Sequence, residues 1–286
     1  QAKVVLVAAG ENRATGQTRD AAVQALTQVG HPYFENVYGP LIPAFYGMVA
    51  RRYMHEYGTT REQMAQVCVQ SRDHAVRHPA SPMTKRITID DVLNSKPIAE
   101  PLNMLDCCLI SDSAGAFIVT SADRAADLPN NPAWLLGIGE CHTHEHVTMA
   151  PSLTRYGAVE SGQAAYSMAG LGPDDMDFAE LYDCFSVVPI IEAEELGLAE
   201  RGAGGELFTS GAATIEGRMP INTHGGMLSF AQAGASGGLH AIVEACRQLR
   251  GDLGERQVKN HDVALVHNEG GILSSHVTMV LANQQR

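Results

Sequence analysis

The order of elements in this sequence predicts an α/β fold with sheets covered by helices. Three observations carry that expectation. Strand-like and helix-like stretches alternate in both parts of the chain. Several strands are continuous apolar runs of the kind found where both faces of a sheet are covered. A glycine-rich passage over residues 222–251, NTHGGMLSFAQAGASGGLHAIVEACRQLRG, leads straight into an amphipathic helix. There Gly225, Gly226, Gly234, Gly237 and Gly238, with Ala233, Ala235 and Ser236, let backbone approach a ligand closely. His240, Val243, Cys246 and Leu249 recur at helical spacing, and Gly251 is the stop.

The chain opens with KVVLVAAGENRA, a strand expected to be buried and to run into a turn at Gly10 and Asn12. PAFYGMVARRYMHEY (residues 43–57) reads as a helix ended by Gly58. Thr59 or Thr60 caps a second helix, in which Met64, Val67, Cys68 and Val76 share helical spacing. Polar linkers follow, and then an Asp/Ser turn feeds a strand within DCCLISDSAGAFIVTSADRA. A second unit starts near Asn131 with the strand AWLLGIGECHTH. LTRYGAVESGQAAYSMAG follows as a helix with Gly and Pro stop signals beyond it. DFAELYDCFSVVPIIEAEELGL is a short strand into a helix that holds Pro189 near its first turn. DVALVHNEGGILSSHVTMVLA gives two closing strands joined by a glycine turn.

Composition bounds the function. With 286 residues, 45% of them hydrophobic, the chain can bury a large core. It has no run of about 18 apolar residues, so no membrane-spanning helix is expected, and a cytoplasmic location is the default. The net charge of −12 is spread without a basic block, which argues against nucleic acid as a partner. The six cysteines form no CxxC pair and read as reduced and buried. In a strand, His142, His144 and His146 of the HTHEH run would share a face. Without a cysteine or carboxylate partner at a metal-binding spacing, a strand-end or substrate-loop role is the stronger expectation, and no metal is expected. Tyr33, Phe34, Tyr38, Phe45, Tyr46 and Met48 fit either core packing or a bulky apolar substrate.

Several blocks then occur together in one order: YMHEYGTTREQMAQV, the DCCLISDSAGAFIVTS run from Asp106, ELYDCF, the NTHGG…GASGG…CRQLRG passage, and HNEGGILSSH. In these the chain resembles the thiolase superfamily, most of all its lipid-transfer-protein or SCP2-thiolase branch. The resemblance implies a five-layer αβαβα fold of two similar halves, here residues 1–128 and 129–286, with a helical loop region inserted at about 13–100. It also implies coenzyme A as part of an acyl-CoA substrate, a homodimer, and in one subgroup a small OB-fold DUF35 partner.

Four departures from the family pattern shape the expected chemistry. The family's nucleophilic cysteine belongs to a segment ahead of the strand that opens this sequence, and Cys107, Cys108, Cys184 and Cys246 are expected to be core residues instead. Phe230, Ala231 and Gln232 stand where thiolases have Gly-His-Pro, so the motif histidine is replaced. His267 falls near the family's second, proton-shuttling cysteine, and a histidine can move protons near neutral pH. Tyr182-Asp183-Cys184-Phe185 matches the family's Asn-Glu-Ala-Phe or His-Asp-Cys-Phe block, with a phenol in place of the amide or imidazole. The resemblance to thiolase-like aldolases implies retro-aldol cleavage of an acyl-CoA, with Tyr182, Asp183 and His267 as acid/base residues. Gly234, Ala235, Ser236 and Gly237 would bind the coenzyme A end. A thiolytic acyltransferase and a non-catalytic CoA-binding scaffold are the alternatives.

Overall fold

Two sheets, one on either side of a single helix, organise the computed structural model, which describes residues 2–16, 18, 20–21, 30–39 and 41–285. Parts of the expected loop region (17, 19, 22–29 and 40) lie outside the described residues. In chain order the main elements are β1 (Val4–Asn12), α1 (Ile42–Tyr57), α2 (Arg61–Arg77), α3 (Ile89–Leu93), β2 (Pro97–Ala99), β3 (Leu102–Asn103) and β4 (Asp112–Thr120). There follow α4 (Ala122–Ala125), β5 (Trp134–His142), α5 (Ala158–Ala169), β6 (Phe178–Glu180), α6 (Val188–Glu195), α7 (Gly204–Thr209), α8 (Gly226–Ser229), α9 (Ala235–Arg250), β7 (Val263–Gly270) and β8 (Ser275–Ala282).

Local chemistry sets most of these ends. Thr60 caps α2 in a capping box with Gln63, and Gly58 closes α1 at φ 72° with its N–H on the Met54 carbonyl. Pro189 sits in the first turn of α6, where its missing N–H has no intrahelical partner to lose. The larger sheet has the order β5-β8-β7-β6, antiparallel except for the parallel β6–β7 pair. Helix α5 lies on its β5–β8 side with almost no gap. A Cβ added at Gly139 would lie 2.0 Å from the Ser161 carbonyl oxygen, so only glycine permits this approach.

Helix α9 packs on the opposite face of that sheet and against β1 and β4, giving a helix–sheet–helix–sheet layering among the described residues. Among the described residues the two sheets are unequal, β1 and β4 forming a two-stranded antiparallel sheet while the other has four strands. The first strand is not buried as its apolar run predicts. Only β4 flanks it among the described residues and α9 covers one face, so Leu6 is 66% exposed and Ile118 on β4 is 64% exposed. Composition registers how apolar a strand is but not how many neighbours it acquires.

The helical region between β1 and β4 is not a separate module. Phe45, Tyr46, Tyr53 and Met64 share one buried cluster with Ile190, Ile191 and Leu265 from the second half. Of the aromatic and methionine residues expected in core or pocket, Phe45 and Tyr46 are buried, whereas Tyr33, Phe34, Tyr38 and Met48 are exposed. None of the six cysteines is in a disulfide; Cys68 and Cys184 are buried, and the other four are half-buried rather than fully enclosed.

The helix between the sheets carries a carboxylate, Glu244, that is almost fully buried and ion-paired to Arg256 at 2.7 Å. Removing one partner of a buried pair leaves an uncompensated charge. Arg256→Met is therefore expected to lower stability by about 3–5 kcal/mol, read as a fall in the urea midpoint at unchanged m-value.

Candidate active site

Strands β6 and β7 run parallel, with Glu180 opposite Val266. The chain just past β6 supplies Tyr182 and Asp183, and the last residues of β7 supply Asn268 and Glu269. In open α/β sheets, ligands bind in the crevice outside the carboxyl ends of parallel strands. The third wall is the passage over residues 222–238, the same glycine-rich stretch that leads into α9.

Tyr182 is half-buried at this crevice. Its backbone N–H donates to Glu192 Oε2 at 2.9 Å, and its phenol oxygen accepts from Gln232 Nε2 at 3.1 Å. Because the amide donates to the oxygen, the phenolic proton remains free for a ligand acceptor. Burial, with the neighbouring Cys184 and Glu269 adding to it, pushes the Tyr182 pKa well up, so the group is a neutral donor across the physiological range.

Asp183 is 1% exposed, and both of its oxygens are engaged. Oδ1 accepts from the Met227 N–H at 2.6 Å and Oδ2 from the Leu228 N–H at 3.3 Å, in the first turn of α8. A Cβ at Gly226, whose φ is 62°, would lie 2.0 Å from Asp183 Oδ2, so glycine is needed where the chain wraps this carboxyl. Burial raises the Asp183 pKa to about 6, against the two N–H donors that lower it. The geometry makes Asp183 the anchor of the turn beside Tyr182 and leaves its oxygens no open face toward the crevice.

His267 does not meet the other two candidates at an open surface. It lies on the side of β7 that faces α5 and α6, fully buried, with Nδ1 2.8 Å from Thr278 Oγ1 and Nε2 3.1 Å from His276 Nδ1. Burial, and then His276 beside it, hold its pKa well below the ordinary value, so it stays neutral. Its link to the crevice is indirect: Nε2 lies 3.7 Å from Glu192 Oε1, and the other oxygen of Glu192 holds the Tyr182 backbone. The expected proton-shuttling role gains no support from this enclosed position, on the face of β7 that also carries Val263, Leu265 and Glu269.

The expected coenzyme A turn is only partly open. Ser236 is buried, with its hydroxyl 3.0 Å from the Ala233 carbonyl and 2.7 Å from Ser113 Oγ, so its side chain serves the fold. Gly237 is buried against Gln232, whose Oε1 would lie 2.2 Å from an added Cβ. Gly234 is half-buried and Ala235 exposed, and the Ala235 N–H donates to Glu11 Oε1 at 3.0 Å. The strand of the HTHEH run ends at His142, whose ring nitrogens meet Ser275 and Glu140 at 2.8 and 2.7 Å. Beyond it His144 bonds the Ile272 carbonyl from a turn, so the three histidines do not share a strand face. Among the described residues no group of three or more His, Cys, Asp or Glu side chains is placed to hold a metal ion.

Gln232, Glu192 and Glu269 were not singled out as site residues in the sequence. Gln232 carried a signal, because it stands where the resembled family has its Gly-His-Pro motif. Glu269 lay in the quoted HNEGG block two positions from His267.

The layering and the crevice beyond β6 and β7 define a thiolase-like α/β fold, and comparisons with known proteins agree. Residues 139–283 match the family described as thiolase C-terminal domain-like. An acetyl-CoA acetyltransferase of Methanothermobacter thermautotrophicus is 35% identical over 268 residues, covering 93% of this chain and 70% of that protein. A steroid side-chain-cleaving aldolase of Thermomonospora curvata is 40% identical over 212 residues, covering 71% of this chain and 53% of that protein. The solved structure of an Ltp2-ChsH2(DUF35) aldolase superposes with a TM-score of 0.85 at 34% identity, over 99% of this chain and 74% of that one. The chain belongs to the thiolase superfamily, on its SCP2-thiolase-like branch. It spans about half the length of the steroid aldolase it matches. No helix among the described residues is long and apolar enough to cross a membrane.

Replacing Asp183 by Asn keeps the shape but turns one acceptor into a donor facing a backbone N–H. Asp183→Asn is expected to cost about 1–3 kcal/mol of stability, measured by urea denaturation at neutral pH.

Proposed function

We propose that the protein is an acyl-CoA lyase of thiolase fold that breaks, or in reverse forms, the carbon–carbon bond β to a thioester by retro-aldol chemistry in side-chain degradation. In such a step a base takes the β-hydroxyl proton and the β-carbon becomes a carbonyl. The electrons of the broken Cα–Cβ bond pass into a thioester enolate, which is then protonated at Cα. The step needs a base and a donor at the enolate oxygen, but no covalent thiolate.

One observation carries the reading: the Tyr182 phenol, with Gln232 donating to its oxygen, presents a free proton where the resembled family has an amide or imidazole. In the proposed reaction that proton stabilises the enolate oxygen of the thioester. Asp183 and Glu192 position the phenol, the first through the α8 turn and the second through the Tyr182 N–H. The coenzyme A end is assigned to the exposed side of the turn at Gly234 and Ala235. The similarity to two aldolases supports this assignment of reaction class. By the same similarity, a small DUF35-type subunit is the proposed partner, alongside a homodimer of the fold.

Thiolytic acyl transfer is the competing reading, and the 35% identity to an acetyl-CoA acetyltransferase favours it. The two part on one assay, since retro-aldol cleavage proceeds without free coenzyme A and survives thiol alkylation. Loss of turnover on omitting coenzyme A or on alkylation would overturn the lyase reading. Within it, Tyr182→Phe is expected to lower kcat by about 100-fold or more with KM little changed, measured by steady-state release of the ketone product.

A further inference from the structure

A buried carboxylate sits beside Tyr46 and Cys184. Glu269, at the end of β7, is 8% exposed. Its Oε1 accepts from the Tyr46 hydroxyl of α1 and from Cys184 Sγ at 3.5 Å, and its Oε2 accepts from the Leu273 N–H at 2.6 Å. Of these donors the thiol is weak, and among the described residues the Leu273 N–H is the donor to Oε2, which leaves that oxygen a lone pair. No Lys or Arg among the described residues forms an ion pair with it, unlike the buried Glu244. A buried carboxylate without a cation is costly unless something requires it.

From this placement we propose that Glu269 is the general base that takes the β-hydroxyl proton, with Tyr46 as the residue that positions it. The proposal rests on the lyase reading above and names the group which that reading leaves open. Three features support it. Tyr182 and Glu269 come from the adjoining ends of two parallel strands, and Cys184, which follows Tyr182 past β6, has its Sγ 3.5 Å from Glu269 Oε1. The two groups are near enough for the charge of Glu269 to raise the phenol's pKa. Burial also raises the Glu269 carboxyl to about 7, with Tyr46, Leu273 and Cys184 pulling it down, and a base titrating near the working pH is well matched to proton transfer.

The proton balance closes. The base takes the hydroxyl proton as the β-carbon becomes a ketone and Cα–Cβ breaks. The protonated Glu269 or water then returns a proton to Cα, and the carboxylate is restored with no other reactant.

The titratable groups around Glu269 are Tyr46 from α1, Tyr156 ahead of α5, Tyr182 and Cys184 after β6, and Glu192 from α6, with His267 and His276 on β7 and β8. Burial pushes the tyrosines, Cys184 and Glu192 toward their neutral forms and holds both histidines uncharged, so Glu269 is the member of the cluster that titrates near neutrality.

The test uses the full chain with a panel of 3-hydroxyacyl-CoAs whose β-carbon is tertiary, from dimethyl to fused-ring. For the wild type, kcat/KM is expected to rise with pH through about 7 to a plateau. Glu269→Gln is expected to lower kcat by on the order of 100-fold or more with KM little changed, and to abolish that rise. Tyr46→Phe removes a donor to the carboxylate and is expected to move the rise to higher pH, which also tests the proposal if the Gln variant does not fold. A Glu269→Gln enzyme with wild-type kcat/KM, a variant that keeps the rise near pH 7, or an unmoved rise in Tyr46→Phe would overturn the proposal while the lyase reading stands. A wild type that cleaves none of the panel would overturn both.

Discussion

The pairing of Arg256 with Glu244 holds the middle of the molecule together, because it allows an ionised residue to sit in a helix that has a sheet on either side. The network continues from there toward the crevice. Glu244 accepts from the Thr223 hydroxyl at 2.8 Å, Thr223 also reaches Glu180 at 2.9 Å, and Glu180 meets His224 Nδ1 at 2.9 Å. Burial alone would push the His224 pKa down, but the carboxylate beside it outweighs this and raises it. Glu180 ends β6, two residues before Tyr182, and Asn222 at φ 53° accepts the Leu181 N–H at 2.7 Å. The glycine-rich passage, the strand end and the central helix are thus fixed to one another by hydrogen bonds that water does not reach.

That rigidity suits a site whose chemistry depends on placement. In the proposed reaction nothing becomes covalently attached to the protein, so rate comes from a donor held at the enolate oxygen and a base held at the hydroxyl. The phenol of Tyr182 is held twice, by Gln232 at its oxygen and by Glu192 at its backbone. His267, 3.7 Å from the other oxygen of Glu192, is held inside the sheet by Thr278 and His276.

Much of the fold was legible in the sequence, since its signals are local. The capping box at Thr60, the stop at Gly58, Pro189 in a first turn and the glycine turn between β7 and β8 each depend on a few neighbouring residues. Tyr182 and Asp183 were legible as a block, although their different roles were not, because the anchoring N–H groups of Asp183 come from 44 and 45 residues away. Glu269 and Tyr46 were not legible as a pair. They are 223 residues apart, and a glutamate destined for burial looks like any surface glutamate in a one-dimensional text. The same limit explains the choice of His267 over Glu269: the sequence shows that both lie near a glycine loop, but not that one is paired with Thr278 and His276 and the other with Tyr46 and Cys184.

In the proposed reaction the bond breaks by retro-aldol chemistry at an uncharged phenol, without acyl transfer to the protein or to free coenzyme A. The most direct measurement is the reaction of a tertiary 3-hydroxyacyl-CoA in deuterium oxide with free coenzyme A omitted, followed by mass analysis of the products. The expected products are a ketone and a shortened acyl-CoA carrying a single deuterium at its α-carbon. Release of both fragments as thioesters, and only when coenzyme A is supplied, would contradict the proposed reaction.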